Sequence, residues 1–464
     1  MASRFNKQQG KNTIRKFEEN LKSGSFAFLD LSTYEFIINY FLDEGKINKA
    51  QKACQLALEQ HPYSFEMIVL KAHILVRKDK LEEALEVLEK AENIQPGEIE
   101  IVLLRASIYT KKELYHEAIT MLFSVIDETD ERASLYFALG NSYQEWGKFE
   151  EAIENYKKCL QENLNNEDAI YEMAYCLDVL GQLEESIDYY QKFIDNDPYS
   201  EVAWYNLGIV YFKLGEVEKA IWAYEFAVAI NSEFSSAYYN IGNCYIVLQD
   251  YQKAIENFEN TQDFEEPDPE IYFNIGLCHE RLDNYSKAIE NYRKAIKIDN
   301  TYSDAWHAIG KCLQKQNKAY EAIHFLKKAI KLEKDNYIFW FDLAEAEYHT
   351  GNIISCLEAY EEASFLNSND NLLWLNWSFV HHEQGDTEKA VDIIISGLDE
   401  IPDDADLHYR AAAYLINAGK YKEAFSYLEN ALILDFDKHT VLFDFFPNLE
   451  TQKALYKIIE QYRK

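Results

Sequence analysis

A 34-residue repeat constrains this chain more than any other feature of its sequence. A phrase of two aromatic residues, Asn, an aliphatic residue and Gly recurs at that spacing, starting at Trp204, Tyr238 and Tyr272. The frame extends in both directions without an insertion or deletion and gives twelve units over residues 31–438. A period of this length is typical of stacked helix–turn–helix units, each of which buries its apolar face only against its neighbours.

Three columns of this frame indicate where the helices lie and how they pack. Position 20 of the unit is Ala in ten units, which predicts that two helices approach closely there, and position 8, Gly in five units, is predicted to face it. Position 15 is Gly in seven units and falls where a left-handed residue would end a helix. We predict helix A over about the first 14 positions and helix B over about positions 18–31.

The repeat resembles the tetratricopeptide repeat (TPR) family. In the sixth unit the family's pattern positions are held by Trp204, Leu207, Gly208, Tyr211, Ala220 and Tyr224. The resemblance covers twelve units of 34, or 408 of the 464 residues. It implies an all-α, right-handed superhelical solenoid with helix A on the concave surface and helix B on the outer one. The first three units and the eleventh depart further from the pattern, for example with Ile38 where the family prefers Gly or Ala.

Two terminal segments flank the repeats and are predicted to cap them, because an end repeat would otherwise expose apolar surface. Residues 1–30 are basic, with six Lys or Arg against three Asp or Glu, and residues 13–22 predict a short amphipathic helix. Residues 439–464 predict a C-terminal capping helix that starts near Leu449. The alternative for this end is a dimer surface formed by Phe443, Phe445 and Phe446.

The composition excludes several classes of protein. Apolar residues make up 48% of the chain and the net charge is −34, so the chain is too apolar for disorder and too acidic to favour nucleic-acid phosphates. No apolar run approaches the roughly 18 residues that span a membrane, and no signal peptide is recognisable. We expect a cytoplasmic protein that is a monomer. The excess of Lys over Arg, 37 to 9, favours an AT-rich microbial genome and a bacterial source.

The sequence offers no catalytic or metal-binding motif. The seven cysteines fall in packing columns, four of them at position 10 of helix A, and none forms a CxxC pair, so we expect buried free thiols. Nothing fixes the densest histidine group, His349, His381 and His382, in the geometry of a metal site. The acidic residues at the start of helix B suit the helix dipole and a solvated face. We predict a protein without enzymatic activity, metal or cofactor.

The candidate binding residues occupy helix A positions that the family resemblance places in or beside the concave groove. Position 5 is aromatic in five consecutive units, and Asn recurs at positions 6 and 9. An amide can donate to and accept from the backbone of an extended peptide, and aromatic rings add rigid apolar contact. The same residues could instead only join one repeat to the next. The set is Phe137, Asn141, Tyr171, Tyr205, Asn206, Tyr239, Asn240, Asn243, Phe273 and Asn274.

A local excess of positive charge follows these residues. Arg281, Lys311 and Lys315 fall at groove positions 13, 9 and 13, and His307 at position 5. They could bind an acidic side chain or a terminal carboxylate of a ligand, or be neutralised by Glu280 and other local acids. The arrangement differs from the family's two-carboxylate clamp, which takes Lys and Asn from the first of three repeats and Lys and Arg from the third.

We therefore predict a non-catalytic scaffold or adaptor that binds a protein or peptide segment, extended or helical, in the groove near residues 137–315. Two alternatives stay open: a structural, self-assembling role through the ends or the outer face, and an accessory array for an enzyme encoded separately. The sequence does not identify the partner.

Overall fold

The chain forms an array of helices and short turns, without a β-strand in the stretches that can be described. The computed structural model describes four stretches, residues 7–23, 28–262, 267–446 and 453–463. Contacts within the chain divide it into two compact units, Met1–Asn231 and Ser232–Lys464. Each unit is treated by itself below.

The described part of the first unit consists of a leading helix and six helix pairs. These are α1 (Lys7–Ser23), α2 (Leu31–Asp43), α3 (Ile47–Gln60), α4 (Phe65–Arg77), α5 (Leu81–Ile94), α6 (Ile99–Lys111), α7 (Tyr115–Val125), α8 (Arg132–Glu145), α9 (Phe149–Glu162), α10 (Glu167–Val179), α11 (Glu185–Asn196), α12 (Glu201–Lys213) and α13 (Val217–Ile230).

The second unit continues with six helix pairs and a shorter terminal segment. These are α14 (Ser235–Val247), α15 (Tyr251–Gln262), α16 (Pro269–Arg281), α17 (Tyr285–Ile298), α18 (Ser303–Lys315), α19 (Ala319–Leu332), α20 (Tyr337–His349), α21 (Ile353–Leu366), α22 (Asn371–Glu383), α23 (Thr387–Glu400), α24 (Ala405–Asn417), α25 (Tyr421–Leu434), a 3₁₀ turn (Asp437–Val441), α26 (Leu442–Phe445) and α27 (Lys453–Tyr462).

The helices follow the 34-residue frame closely. Helix A, which is every even-numbered helix from α2 to α24, begins at position 1 in eleven repeats and one residue earlier in α8. Helix B, which is every odd-numbered helix from α3 to α25, begins at position 17 in eleven repeats and two residues later in α11. The predicted all-α array of about twelve helix pairs is confirmed.

Side chains just before helix A fix where it begins. The Asp30 carboxylate accepts from the Thr33 backbone N–H at 2.8 Å, and the Asn166 side chain accepts from the Ala169 backbone N–H at 3.0 Å. Such caps satisfy a helix N–H that has no partner within the helix. The repeat frame and the capping residues therefore give the same boundary.

Position 15 ends helix A in every repeat with a residue of positive φ. Seven are the glycines predicted from the sequence, and the other five are Asp79, Glu113, Gln249, Asp283 and Asn317, with φ between 57° and 61°. A left-handed residue at this point lets the next N–H groups reach the last helical carbonyls. The conformation belongs to the repeat and is adopted even where a side chain makes it costly.

Position 8 lies closest to the side chain at position 24 of the same repeat, a contact that was not predicted from the sequence. We expected its glycines to face the alanines of position 20. A Cβ placed on Gly208 would instead lie 2.5 Å from a ring carbon of Tyr224, and one placed on Gly140 would lie 2.3 Å from Tyr156. Both rings are at position 24 of the same repeat, so the glycine makes room for an aromatic ring; at Gly310 the backbone oxygen of Ala322, at position 20, also lies 3.5 Å from the Cβ position.

The same pairing explains the departure at Ile38. Ile38 and Cys54 hold positions 8 and 24 of the first repeat, and both are buried in one apolar cluster. A large residue at position 8 is therefore matched by a small one at position 24. The larger side chain at position 8 is offset by the smaller one at position 24, so the helix pair stays packed.

The N-terminal helix covers the first repeat. Helix α1 begins at Lys7, six residues before the predicted start, and buries Ile14 and Phe17. The Phe17 ring meets Tyr34 edge to face at 6.5 Å. This contact places α1 against the first helix pair, and its role as a cap stays a prediction.

The C-terminal segment turns back onto the last repeat. Leu442 is fully buried, Phe446 is 8% exposed, and Phe445 packs against the same apolar cluster. Of the three aromatic residues considered for a dimer surface, Phe443 alone is exposed. The residues where the last helix was predicted to start lie outside the described stretches, and α27 follows them.

Candidate functional site

The predicted binding residues form two patches, one in each unit. The first patch lies on α8, α10 and α12 and consists of Phe137, Asn141, Tyr171, Tyr205 and Asn206. The second patch lies on α14, α16 and α18 and consists of Tyr239, Asn240, Asn243, Phe273, Asn274, Arg281, His307, Lys311 and Lys315.

The first patch contains a cavity of about 210 Å³ between α10 and α12. Tyr171 and Tyr175 line it with about half of each side chain exposed, and Asn206, only 7% exposed, forms part of its wall. The Lys213 ammonium also lines it and forms an ion pair with Asp178. Two accessible rings and a largely buried amide therefore meet at one concave spot.

Rings at position 5 are held by the ring at position 24 of their own repeat. The centroids of Tyr205 and Tyr224 are 5.6 Å apart in the first patch, and those of Tyr239 and Phe258 are also 5.6 Å apart in the second. Such tilted contacts fix the ring orientation. Each of these rings therefore packs partly against the core and lies partly at the surface.

Asn141 ties its own helix pair together. The Tyr156 hydroxyl, at position 24, donates to a site shared by Asn141 Oδ1 and Gln144 Oε1, each at 2.8 Å. The Gln144 side-chain amide in turn donates to Glu172 of the next repeat at 2.7 Å. The amide oxygen of Asn141 thus has a partner within its own repeat. The sequence analysis left such a structural role open as an alternative to binding.

Tyr239 and Asn274 join two repeats in the second patch. The Tyr239 hydroxyl donates to Glu270 Oε1 at 2.7 Å, and the Asn274 amide donates to the same hydroxyl at 3.3 Å. Burial, together with the Glu270 carboxylate, raises the pKa of Tyr239. Through this network Asn274 joins one repeat to the next, and Tyr239 stays half-buried.

His307 is not available as a free cation. Its Nε2 atom lies 2.5 Å from Asp342 Oδ2, and the two side chains are only 12% and 10% exposed. Its ring also packs on Phe339 at 4.5 Å. The pair is therefore a fixed part of the surface of α18 and α20.

The three other cations of the second patch are open to an anion. Within the described stretches, Arg281, Lys311 and Lys315 take part in none of the ion pairs. Glu280, the acid expected to neutralise them, instead accepts from the Tyr292 hydroxyl at 2.8 Å. Burial and the Asp342 charge raise the pKa of Glu345, and the charges of His349, Lys315 and Lys311 oppose that rise.

Asp342 and Glu345 are the site residues that sequence reasoning missed. They occupy positions 6 and 9 of the tenth repeat, the positions that carry Asn in earlier repeats. Their location at the same repeat positions as those Asn residues is the sequence feature that could have identified them. Together with Lys311 and Lys315 they make this part of the surface a mixed-charge cluster.

The cysteines behave as buried apolar residues. All seven are free and buried. Burial raises the pKa of Cys54, Cys244 and Cys278 to about 12, far from the range of a reactive thiolate. In the described residues, no group of three or more His, Cys, Asp or Glu side chains could hold a metal ion. None of the described helices combines the length and apolarity that crossing a membrane requires.

Sequence-family comparisons match most of the array. Models described as tetratricopeptide repeat match six segments, at residues 133–166, 168–200, 202–234, 235–260, 269–302 and 303–336. A model described as anaphase-promoting complex, cyclosome, subunit 3 matches residues 43–125. None of the curated proteins compared with the chain matches it.

Several solved structures are similar to parts of the chain. YrrB, described as a TPR protein with an unusual peptide-binding site, is 19% identical with a TM-score of 0.36, covering 42% of this chain and 97% of its own. The APC/C hetero-tetramer Cut9–Hcn1 is 13% identical with a TM-score of 0.37, covering 87% and 99%. A tetratricopeptide repeat protein from Parabacteroides merdae is 16% identical with a TM-score of 0.39, covering 53% and 98%.

Proposed function

The chain belongs to the tetratricopeptide repeat family, and from that premise we propose that it is a non-catalytic scaffold that binds protein segments on the exposed face of helix A. Stacked repeats of this kind present long, preformed surfaces, so most of the ordering cost of binding falls on the ligand. The proposal assigns the binding role to the first patch and to the mixed-charge part of the second.

The observation that carries the proposal is the cavity of the first patch. About half of the Tyr171 and Tyr175 side chains stays exposed beside it, although large aromatic side chains are usually buried more deeply. Exposed aromatic rings around a concave site are characteristic of protein-binding surfaces. We infer that a side chain of the ligand enters this cavity between the two rings.

Asn206 supplies the polar contact of the same site. Its side chain is 7% exposed and lines the cavity, so its position is fixed by packing before any ligand arrives. An amide offers both a donor and an acceptor to a peptide group. We propose that it pairs with the backbone of an extended ligand, which makes recognition at this point independent of the ligand's side chains.

The second patch favours an anionic feature of the ligand. Lys311 and Lys315 have no ion pair among the described residues, and the nearby acid Glu345 has a raised pKa that their charges oppose. We propose that a ligand carboxylate, either a side chain or a chain terminus, binds to this pair of ammonium groups. The surrounding protein is strongly acidic, so these lysines stand out as an anion site.

A peptide-selection experiment tests the first patch. Random linear peptides displayed on phage are selected on the wild-type chain, and the strongest binder is then titrated by fluorescence anisotropy. We expect Tyr171→Ala to weaken binding at least about tenfold, because it removes an aromatic contact from the centre of the site. Tyr199→Ala is the matched control, since Tyr199 is 79% exposed in the turn before α12. Equal affinities for the wild type and Tyr171→Ala would contradict the proposal.

The same titration tests the charge of the second patch. Lys311→Glu/Lys315→Glu should weaken binding of peptides that carry a carboxylate and should reduce the salt dependence of their affinity. Lys297→Glu/Lys331→Glu makes the same change of charge on helix B, where both lysines are exposed. If the two double variants behave alike, the lysines of the second patch do not bind the ligand.

A further inference from the structure

Position 7 of helix A carries a cation in two repeats, and only one of these cations is neutralised. The position is apolar in ten of the twelve repeats, as expected for a residue that faces the neighbouring helix pair. The exceptions are Lys71 on α4 and Arg105 on α6. In the second interface, Arg105 Nη2 lies 3.3 Å from Glu92 Oε2, and Glu92 holds position 28 of the preceding helix B.

The equivalent partner of Lys71 is apolar. Position 28 of the preceding helix B, α3, is Leu58, so no carboxylate stands where Glu92 stands one repeat later. Among the described residues Lys71 forms no ion pair, and its side chain is exposed. A cation therefore lies at this exposed position without the acid that accompanies its counterpart.

A cleft of about 440 Å³ opens at this point between α3 and α4. Its floor is formed by Cys54, Ile74 and Leu75, which are at most 4% exposed, and Leu58 forms an apolar wall. This volume is within the range of small-molecule sites, which combine apolar walls with few polar groups. Lys71 lines the same cleft, and its charge opposes the rise that burial causes in the pKa of the Cys54 thiol.

Lys71 is the one cation among the residues that line the cleft. Gln51 accepts from the Lys78 ammonium at 2.7 Å, and Glu59, the one acid among the lining residues, accepts from the Gln55 amide at 3.2 Å. Gln51 and Glu59 thus each accept a hydrogen bond, and Lys71 remains the lining cation that has no carboxylate partner among the described residues. An apolar body with one anionic end complements these features.

We propose that this cleft binds a monocarboxylate with an apolar tail, of the size of a medium-chain fatty acid, with its carboxylate on Lys71 and its tail against Cys54, Leu58 and Ile74. The tail would remove apolar surface from water, and the carboxylate would supply the counter-charge that Glu92 gives Arg105. The site lies in the first two repeats and involves no residue of the two patches.

Isothermal titration calorimetry with decanoate, kept below its micelle concentration, tests the proposal. We expect one decanoate per chain, bound at least about tenfold more tightly than 1-decanol, which has the same tail without the charge. Lys71→Leu restores the apolar residue typical of position 7 and should remove the preference for decanoate. Lys71→Arg should retain it, and Lys90→Leu, which removes an exposed cation from α5, should leave it unchanged.

Three results would overturn the proposal. The wild type could fail to bind decanoate, it could bind decanoate and 1-decanol equally, or Lys71→Leu could bind decanoate as the wild type does. Circular dichroism of each variant shows whether it is folded, and the Lys71→Arg and Lys90→Leu proteins identify a loss that is specific to the charge. A negative result with decanoate would not contradict peptide binding by the first patch, because the peptide assay tests other residues with another ligand.

Discussion

At the scale of single residues, the fold is determined by conformation and volume at a few repeated positions. Position 15 takes a positive φ in all twelve repeats, although only seven of its residues are glycines. An L-residue in this region brings its Cβ close to the backbone, at a cost of roughly 1 kcal/mol. Where position 15 is Gly, the residue type itself indicated the helix end. Where Gln249 or Asp283 occupies it, only the position in the 34-residue repeat indicated that end.

Replacing Gln249 with Gly should stabilise the protein. The wild-type residue has φ of 59°, and Gly adopts this conformation without a clash. We expect Gln249→Gly to raise the free energy of unfolding by about 0.5–1 kcal/mol in urea titrations. Asn317→Gly is the control and should have a smaller effect, because Asn tolerates the left-handed region. An equal gain in both variants would show that the side chain at position 15 is not strained.

The pairing of positions 8 and 24 predicts a compensating double mutant. Gly208→Ala places a Cβ 2.5 Å from the buried Tyr224 ring and should cost about 1–3 kcal/mol of stability. Tyr224→Leu in the same chain should recover at least about 1 kcal/mol of that loss, because Ala106 and Leu122 already form a buried pair at these positions. Additive effects in a double-mutant cycle measured by urea unfolding would contradict the pairing.

At the scale of helices, the C-terminal segment packs against side chains of the last two repeats. The His382 ring of α22 stacks on Tyr414 of α24 at 4.6 Å and contacts Phe445 of α26 at 5.9 Å. The Arg410 guanidinium lies 5.0 Å from the centre of the Phe445 ring. The His382 ring therefore packs between the last two repeats and the C-terminal segment, close to the Arg410 charge.

Acidification should weaken this end of the molecule. Burial and the Arg410 charge lower the pKa of His382, and Glu383 opposes them. Because the folded-state pKa lies below the unfolded value of about 6.5, the unfolded chain binds more protons in mild acid. The contribution to stability is complete above that value and is lost as the pH falls below it.

The measurement compares urea midpoints at about pH 7.5 and about pH 5.5 for the wild type and His382→Phe. The wild type should lose more stability on acidification than the variant. His279 and His381 also have lowered pKa values and are present in both proteins, so the difference isolates His382. The same loss in both proteins would show that His382 does not couple this end to pH.

Element boundaries were predictable because every repeat samples the same pattern. Twelve copies average out local ambiguity, and the caps before α2 and α10 fall where the frame begins. The partner of each polar side chain was not predictable. Whether His307 meets a solvent molecule or Asp342 depends on the rotation between neighbouring helices, which the 34-residue period does not encode.

At the scale of the whole molecule, acidity and repetition determine what the chain can bind. The net charge of −34 disfavours partners that carry many phosphates, and the anion sites inferred here are small clusters of one to three cations. The division into two compact units after residue 231 has no counterpart in the regular spacing of the sequence. The repeat count and helix order were therefore readable from the sequence, whereas the Lys71 cleft and the cavity beside Asn206 required coordinates.

Hydrogen–deuterium exchange of the chain, with and without a saturating selected peptide, tests the binding claim most directly. We predict that the peptide slows exchange in helix A segments of a patch, foremost α10 and α12 around Tyr171 and Asn206, and leaves the helix B segments α11 and α13 unchanged. Protection confined to helix B, or to the terminal segments α1 and α27, would contradict binding on the exposed face of helix A.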